Sequence, residues 1–305
     1  MNVNQNWNAS NIADQTGRIA IVTGASSGIG FEAARVLTDK NATVIIAVRN
    51  LEKGTAALQK IKSQNAKADV LVMLLDLADL NSVKQFAEDF IKKFTRLDLL
   101  INNAGVMIPP YSKTKDAFEL QFGTNHLGHF ALTALLFNLI NKTAGSRIVN
   151  VSSAAHKYGN LNFDDLNWEK RKYKAWKAYG DSKISNLYFT YELQRRLEDK
   201  KSNIKVTAAH PGWTATDLQR HSGLFEFLNT FFAMKAEQGA LPTLRAATDD
   251  AANSGDYFGP DGWQEWKGYP VKVKSNELSH DKNIAKKLWE ISEILTGVNF
   301  NIAAN

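Results

Sequence analysis

The chain has 305 residues, 44% hydrophobic and 22% charged, a globular composition that excludes a disordered or collagen-like polymer. It has no cysteine, which removes a disulfide scaffold, a zinc–thiolate site and a cysteine nucleophile. The balance of 37 basic against 31 acidic residues gives a formal charge of +6, too mild at this length to announce a nucleic-acid binder.

The Asn-rich N-terminus has no basic region followed by an apolar stretch, so it does not read as a signal peptide. No apolar run approaches the roughly 18–20 residues of a bilayer span. The expectation is a cytoplasmic protein without a transmembrane segment. A short β-like run, Arg18–Thr23, leads into a Gly-rich stretch, Gly24–Gly30. Glu32–Asp39 reads as helix, Thr43–Val48 as a strand covered on both faces, and Glu52–Ser63 as helix. Val70–Leu75 is strand-like, Asp79–Phe94 helical, Leu97–Ile101 a fourth strand and Phe118–Asn141 a long helical region. Arg147–Val151 reads as strand, Ala178–Leu197 as helix, Ile204–Ala209 as strand, Ala236–Thr248 as helix and Gly255–Phe258 as a short last strand. Strands alternating with helices indicate an α/β protein with a doubly wound parallel sheet, a Rossmann fold. The unbroken alternation predicts a single domain over residues 1–305. It divides into a core of about 16–260, a substrate lid at about 217–234 and a C-terminal extension of about 260–305.

The stretch TGASSGIG, Thr23–Gly30, follows the first strand and opens a helix. Residues without side chains let the backbone approach a diphosphate, and the helix N-terminus offers free N–H groups and a positive dipole end. Gly24, Gly28 and Gly30 suit those tasks, against the plainer reading of a tight turn. The stretch lacks the Gly-Lys-Ser/Thr ending of a P-loop, which argues against a nucleotide hydrolase. The second strand ends Val48-Arg49-Asn50, where an acid would hold a ribose 2′-hydroxyl. An Arg suits a 2′-phosphate, so NADP(H) is expected ahead of NAD(H). The other reading of Arg49 is a solvated surface side chain.

Tyr179 and Lys183 lie four apart on the helix Ala178–Leu197, so they share a face. An ammonium beside a phenol favours the phenolate, and the expectation is a Tyr179 pKa below the ordinary value of about 10. Ser152 and Ser153 stand at the C-terminal end of the fifth strand, the edge where open parallel sheets bind ligands. Ser153 by itself reads better as a polar strand end.

TGASSGIG at 23–30, Asn102-Asn103-Ala104-Gly105, Asn125, Ser153, Tyr179-x-x-x-Lys183 and Pro211-Gly212 occur in order and at similar spacing. Together they resemble the short-chain dehydrogenase/reductase family, of the single-domain type, over roughly residues 16–260. Asn125-His-Leu-Gly-His129, the long segment between Ser153 and Tyr179, and the Trp-rich C-terminal stretch most resemble the retinol-dehydrogenase-like branch. The resemblance implies an oxidoreductase with Tyr179 as general acid/base and Lys183 lowering its pKa and binding the nicotinamide ribose. Ser153 would polarise the carbonyl, and Asn125 would hold a water linking Lys183 to solvent. Cofactor contacts would come from Gly24, Ser26, Ser27, Gly28, Ile29, Gly30, Arg49, Asn50, Asp76, Leu77, Asn103, Ala104, Gly105, Tyr179 and Lys183, and from Pro211, Gly212, Trp213, Thr214 and Thr216. The basic residue that some NADP-preferring members carry before the second glycine is Ser27 here.

Leu224, Phe225, Phe227, Leu228, Phe231 and Phe232 form an apolar cluster at near-helical spacing. It reads as a lid over a hydrophobic substrate, as core packing, or as a membrane or subunit contact. Met107, Ile108 and Trp213 would add apolar wall, so the expected partner is an apolar aldehyde, ketone or alcohol. The stretch Lys170–Lys177 interleaves lysine with aromatics but reads better as a solvated loop than as a nucleic-acid surface. His126 and His129 are three apart without an evident third ligand, so no metal is expected. His156, near Ser153, could touch substrate but reads better as a structural hydrogen-bonding residue. A homodimer or homotetramer is compatible with the resemblance. Two rivals of other classes stay open: an epimerase or dehydratase that recycles a bound nucleotide, and a non-catalytic NADP-sensing protein.

Overall fold

Continuous β-branched runs such as TVIIAV at Thr43–Val48 point apolar side chains to both faces of a strand, so both faces must be covered. The structure is a computed structural model and describes residues 6–214 and 234–302. Its first half runs β1 (Ile19–Thr23), α1 (Gly28–Asp39), β2 (Thr43–Val48), α2 (Leu51–Gln64), β3 (Val70–Leu74), α3 (Leu80–Lys93) and β4 (Leu99–Asn102). A helical run follows. It starts as the short α4 (Leu120–Phe122), passes through a π-helical turn (Gly123–Leu127) and continues as α5 (Gly128–Lys142). The second half runs β5 (Arg147–Val151), α6 (Ala175–Asp199), β6 (Lys205–Ala209), α7 (Ala236–Gly239), α8 (Leu241–Thr248), β7 (Tyr257–Pro260), β8 (Pro270–Val273) and α9 (Lys282–Thr296).

The strands form one eight-stranded sheet in the order β3-β2-β1-β4-β5-β6-β7-β8. All pairings are parallel except β7 with β8. Alternate strand residues feed two cores. Ala20, Val22, Val44, Ile46, Leu99 and Ile101 pack with α1, α2 and α8, whereas Ile21, Ile45, Leu100, Ile148 and Val206 pack with α3, α5 and α6. The chain leaves β1 toward β2 on one side and returns to β4 on the other. That reversal opens a crevice at the C-terminal edge of the strands, where ligands of open α/β sheets bind.

Several boundaries differ from the sequence reading for local reasons. Helix α1 begins at Gly28, not Glu32, because Ser27 supplies the extended N-cap. The helix expected over Ala236–Thr248 is two pieces, and Pro242 opens the second, where its missing N–H costs no helical bond. The sheet is not wholly parallel: β8 adds an antiparallel edge whose Lys272 faces solvent and pairs with Asp256 at 2.7 Å. Helix α9 is capped by Asp281, which accepts from Asn283 N and Ile284 N, and stops at Gly297 in left-handed conformation. It packs on α6, burying Trp289 against Phe130, Phe189 and Phe300 at ring separations of 5.2, 5.9 and 4.5 Å. The C-terminal segment thus supplies both a sheet edge and part of a core.

Candidate active site

The end of β1 is shaped by close backbone approach. Gly24 has φ +67°, and a Cβ there would stand 2.9 Å from Ala104. A Cβ on Gly30 would stand 2.4 Å from Asn103 Nδ2 and 2.7 Å from Gly24 O. The N-cap Ser27 makes no side-chain capping bond, and the first turn of α1 holds no acid. The first-turn N–H groups therefore face the cleft without a side-chain acceptor, which suits an anionic diphosphate. Ser27 is exposed, Ser26 and Gly28 are half-buried, and Ile29 is buried beneath the turn.

The remaining cofactor-side residues separate into two groups. Arg49 is exposed just past β2, and among the described residues no carboxylate pairs with it. Asn50, by contrast, caps α2, its Oδ1 accepting from Lys53 N at 2.9 Å. Asp76 folds its own loop by accepting from Ala78 N at 3.0 Å, and Leu77 is buried where Gly128 passes it closely. The Thr23 hydroxyl accepts from Asn103 N and Ala104 N, both at 2.9 Å, while Asn103 Nδ2 donates to Thr23 O at 2.8 Å. Gly105 leaves room for its neighbours: a Cβ there would lie 3.0 Å from Asn125 Oδ1 and 3.6 Å from Lys183 Nζ.

Past β6, Pro211, Gly212 and Trp213 are half-buried and Thr214 is buried. Trp213 N donates to Trp266 O at 2.9 Å, and Gly212 at φ +67° gives Trp266 its clearance. The Thr214 hydroxyl donates to Pro211 O at 2.8 Å. Thr216 and most of the expected lid, with its Leu224–Phe232 cluster, lie outside the described residues. Met234, at the end of that stretch, is buried and bonds Trp213 O at 2.8 Å.

Ser153, Tyr179 and Lys183 come together where β5 ends against α6. Ser153 caps a short 3-10 turn, its Oγ accepting from Ala155 N at 3.2 Å, and its hydroxyl also lies against the Tyr179 phenol. Lys183 Nζ donates to Val151 O at 3.1 Å and sits 5.7 Å from the Tyr179 ring centroid. The expected lowering of the phenol is corrected here. Burial pushes Tyr179 up to about 12, outweighing the Ser153 hydroxyl that favours the phenolate. The same burial brings Lys183 down to about 8. Sharing a helical face brings the groups near each other, but removal from water penalises both charges. The Tyr179 phenol is therefore neutral near pH 7.

Asn125 stands in the π-helical turn. Its Nδ2 donates to Val106 O at 3.0 Å and Ser182 Oγ at 2.9 Å, and its Oδ1 accepts from Val106 N at 2.7 Å. The side chain thus ties the loop after β4 to the catalytic helix. His156 is structural in geometry: Nδ1 lies 2.7 Å from Ser153 O, and Nε2 accepts from Asn276 N at 3.2 Å. In the basic stretch Lys170–Lys177, Lys170, Lys172 and Lys174 are exposed, as a solvated loop requires, while other members bond to the protein. Tyr173 donates to buried Glu119 at 2.8 Å, Arg171 covers the Trp168 ring, and Lys177 pairs with Asp181. Gln121, bonded to Tyr173 and Ala175, also holds Ile108 N at 2.9 Å. It thereby fixes Ile108 at φ +53°, an uncommon conformation for a β-branched residue. Among the described residues no group of three or more His, Asp or Glu side chains is placed to hold a metal, and no helix is long and apolar enough to cross a membrane. The hydroxyl of Thr23 and the ring of His129 are site residues that the sequence reading missed. Their only signals were a Thr closing β1 and the four-residue spacing of Asn125 and His129.

A doubly wound sheet with a glycine turn after β1 and a Ser–Tyr–Lys cluster after β5 is a Rossmann-type architecture. The family model for short chain dehydrogenases matches residues 18–225, and the chain belongs to that family, in its retinol-dehydrogenase-like branch. It is 41% identical over 293 residues to human retinol dehydrogenase 13, covering 92% of this chain and 85% of that one. It is 42% identical over 287 residues to mouse retinol dehydrogenase 11, covering 92% and 87%. A crystal structure of an uncharacterized protein from Mycobacterium paratuberculosis superposes with a TM-score of 0.83 at 41% identity, covering 98% of this chain and all of that one. The protein is an oxidoreductase of small molecules, in a family that uses nicotinamide cofactors.

Proposed function

We propose that the protein interconverts an apolar aldehyde or ketone and its alcohol with NADP(H), Tyr179 acting as general acid in reduction and general base in oxidation. The observation that carries this reading is the meeting of buried Tyr179 and Lys183 with half-buried Ser153, on the sheet edge that also carries the glycine turn. When bound, the nicotinamide supplies or takes up the hydride. Gly24, Gly28, Gly30 and the open first turn of α1 would take the diphosphate, and Arg49 the 2′-phosphate. Arg49 supports NADP(H) because it stands exposed at the end of β2, without a carboxylate partner among the described residues. Ser153 orients the substrate oxygen and stabilises the charge that grows on it. Tyr179 delivers its proton to that oxygen, and the Lys183 ammonium offsets the negative charge left on the phenol. Asn125, spent on Val106 and Ser182, holds the loop and the helix in register around these groups.

An apolar substrate is supported by the half-buried Met107, Ile108 and Trp213 on the cleft side, and by relatives named for retinol. The test is a screen of apolar and polar aldehydes and ketones, followed by the nicotinamide absorbance. The expected result is NADPH oxidation with apolar carbonyls and little with NADH. NADPH binding without turnover of any carbonyl would favour a sensor instead.

A further inference from the structure

One imidazole on α5 is buried between the end of β1 and the π-helical turn. His129 is 2% exposed; its Nδ1 lies 2.9 Å from Asn125 O and its Nε2 2.9 Å from Thr23 Oγ1. A carbonyl only accepts, so Nδ1 carries the ring proton and Nε2 presents a lone pair. The Thr23 hydroxyl already accepts from Asn103 N and Ala104 N, and its single proton goes to Nε2 at 2.9 Å in preference to the Ile101 carbonyl at 3.4 Å. The shorter contact favours one arrangement of this short chain, from Thr23 through His129 to Asn125 O. Burial holds the ring down to about 4, with the Asn125 carbonyl opposing and the Lys183 charge assisting, so it stays neutral near pH 7. The ionisable groups that interact with it are Lys183 and the neighbouring, equally buried His126.

We propose that His129 is a positioning residue that couples the two halves of the site. Its Nδ1–H fixes the π-helical turn that presents Asn125 to Val106 and Ser182. Its Nε2 fixes the Thr23 hydroxyl that holds Asn103 and Ala104 against the glycine cradle. The two bonds have separable consequences. Loss of the first loosens the packing around Lys183, since Asn125 bonds Ser182 beside it and both Asn125 and Lys183 crowd Gly105. Loss of the second loosens the loop that Gly24 and Gly30 touch. The kinetic part of this inference rests on the proposed dehydrogenase activity, whereas the bonding pattern does not.

The first measurement is nitrogen-15 NMR of histidine-labelled wild-type protein. The expected spectrum for His129 has Nδ1 protonated, Nε2 bare, and no titration down to about pH 5. An Nε2–H tautomer, or titration near the ordinary histidine value, overturns the proposal. The second uses two variants. In His129→Asn the amide reaches the Nδ1 position only; in His129→Gln it reaches the Nε2 position. His129→Asn is expected to weaken NADPH binding about tenfold and keep the pH profile of carbonyl reduction. His129→Gln is expected to keep NADPH affinity, lower kcat about tenfold and move the alkaline limb upward as water reaches Lys183. Equal losses in both variants, with both folded by circular dichroism, would reduce His129 to packing and overturn the proposal. If wild type reduces no carbonyl, the function reading fails, while the tautomer and the NADPH affinities still decide this one.

Discussion

At the end of β1 the protein presents backbone, and at the end of β5 it buries side chains. The glycine turn works because Gly24 and Gly30 carry nothing that would strike Ala104 or Asn103, and because the first turn of α1 is left without a side-chain cap. The proposed catalytic cluster is built the opposite way. Tyr179 and Lys183 are almost wholly removed from water, and their proton affinities are set by that removal. In the proposed function one end would bind by leaving donors open, and the other would prepare chemistry by closing side chains in. The ends should therefore respond differently to substitution.

The sharpest separation is expected from Tyr179→Phe. Removing one hydroxyl should cut carbonyl turnover by ~10²- to 10⁴-fold while NADPH affinity stays within about twofold. Steady-state rates beside a fluorescence titration check both, and a parallel loss of affinity would erase the contrast. The next effect concerns stability. Lys183 titrates near 8 in the folded protein against 10.5 when exposed, so the unfolded chain binds its proton more tightly between those values. The cost of the buried charge is full below pH 8 and fades as pH rises toward 10.5. Lys183→Met should accordingly be more stable than wild type at pH 7, by up to ~3 kcal/mol. Val151 O, which Lys183 holds, keeps its bond from Asn186 Nδ2 at 3.1 Å. Urea midpoints across pH measure the gap, which should close by about pH 10.5. A gap that widens with pH would mean the ammonium stabilises the fold.

Smaller effects belong to the dinucleotide end. Arg49→Ser should weaken NADPH about tenfold and leave NADH unchanged, read by titrating both dinucleotides. Its neighbour Asn50 sharpens the point, since its side chain is already spent on capping α2. Asn50→Ala should lower stability by ~1 kcal/mol in denaturant unfolding and leave NADPH affinity intact.

The same contrast explains what the sequence made legible. Glycine spacing after an apolar run is a local signal, and so are the parallel strands, whose β-branched runs need no neighbour to be seen. The C-terminal segment was harder to read because β-α alternation stops at β7. Strand β8 is a four-residue edge carrying Lys272, and α9 gains its place through Trp289 meeting Phe130 and Phe189 from distant parts of the chain. The direction of the Tyr179 shift was missed for a similar reason. Four-residue spacing reports which groups are near each other, but not how little water reaches them. Thr23 and His129, 106 residues apart, meet only once β1 and α5 are packed, so no spacing rule points to their bond.

The central claim is that a carbonyl carbon receives hydride while Tyr179 protonates its oxygen. The most direct measurement is mass spectrometry of the alcohol formed from an apolar aldehyde with NADPH carrying deuterium at the transferable position. The account predicts one deuterium on the carbinol carbon, with one NADPH consumed per alcohol in wild type and almost no product from Tyr179→Phe. Unlabelled product, or product formed without net NADPH consumption, would contradict it.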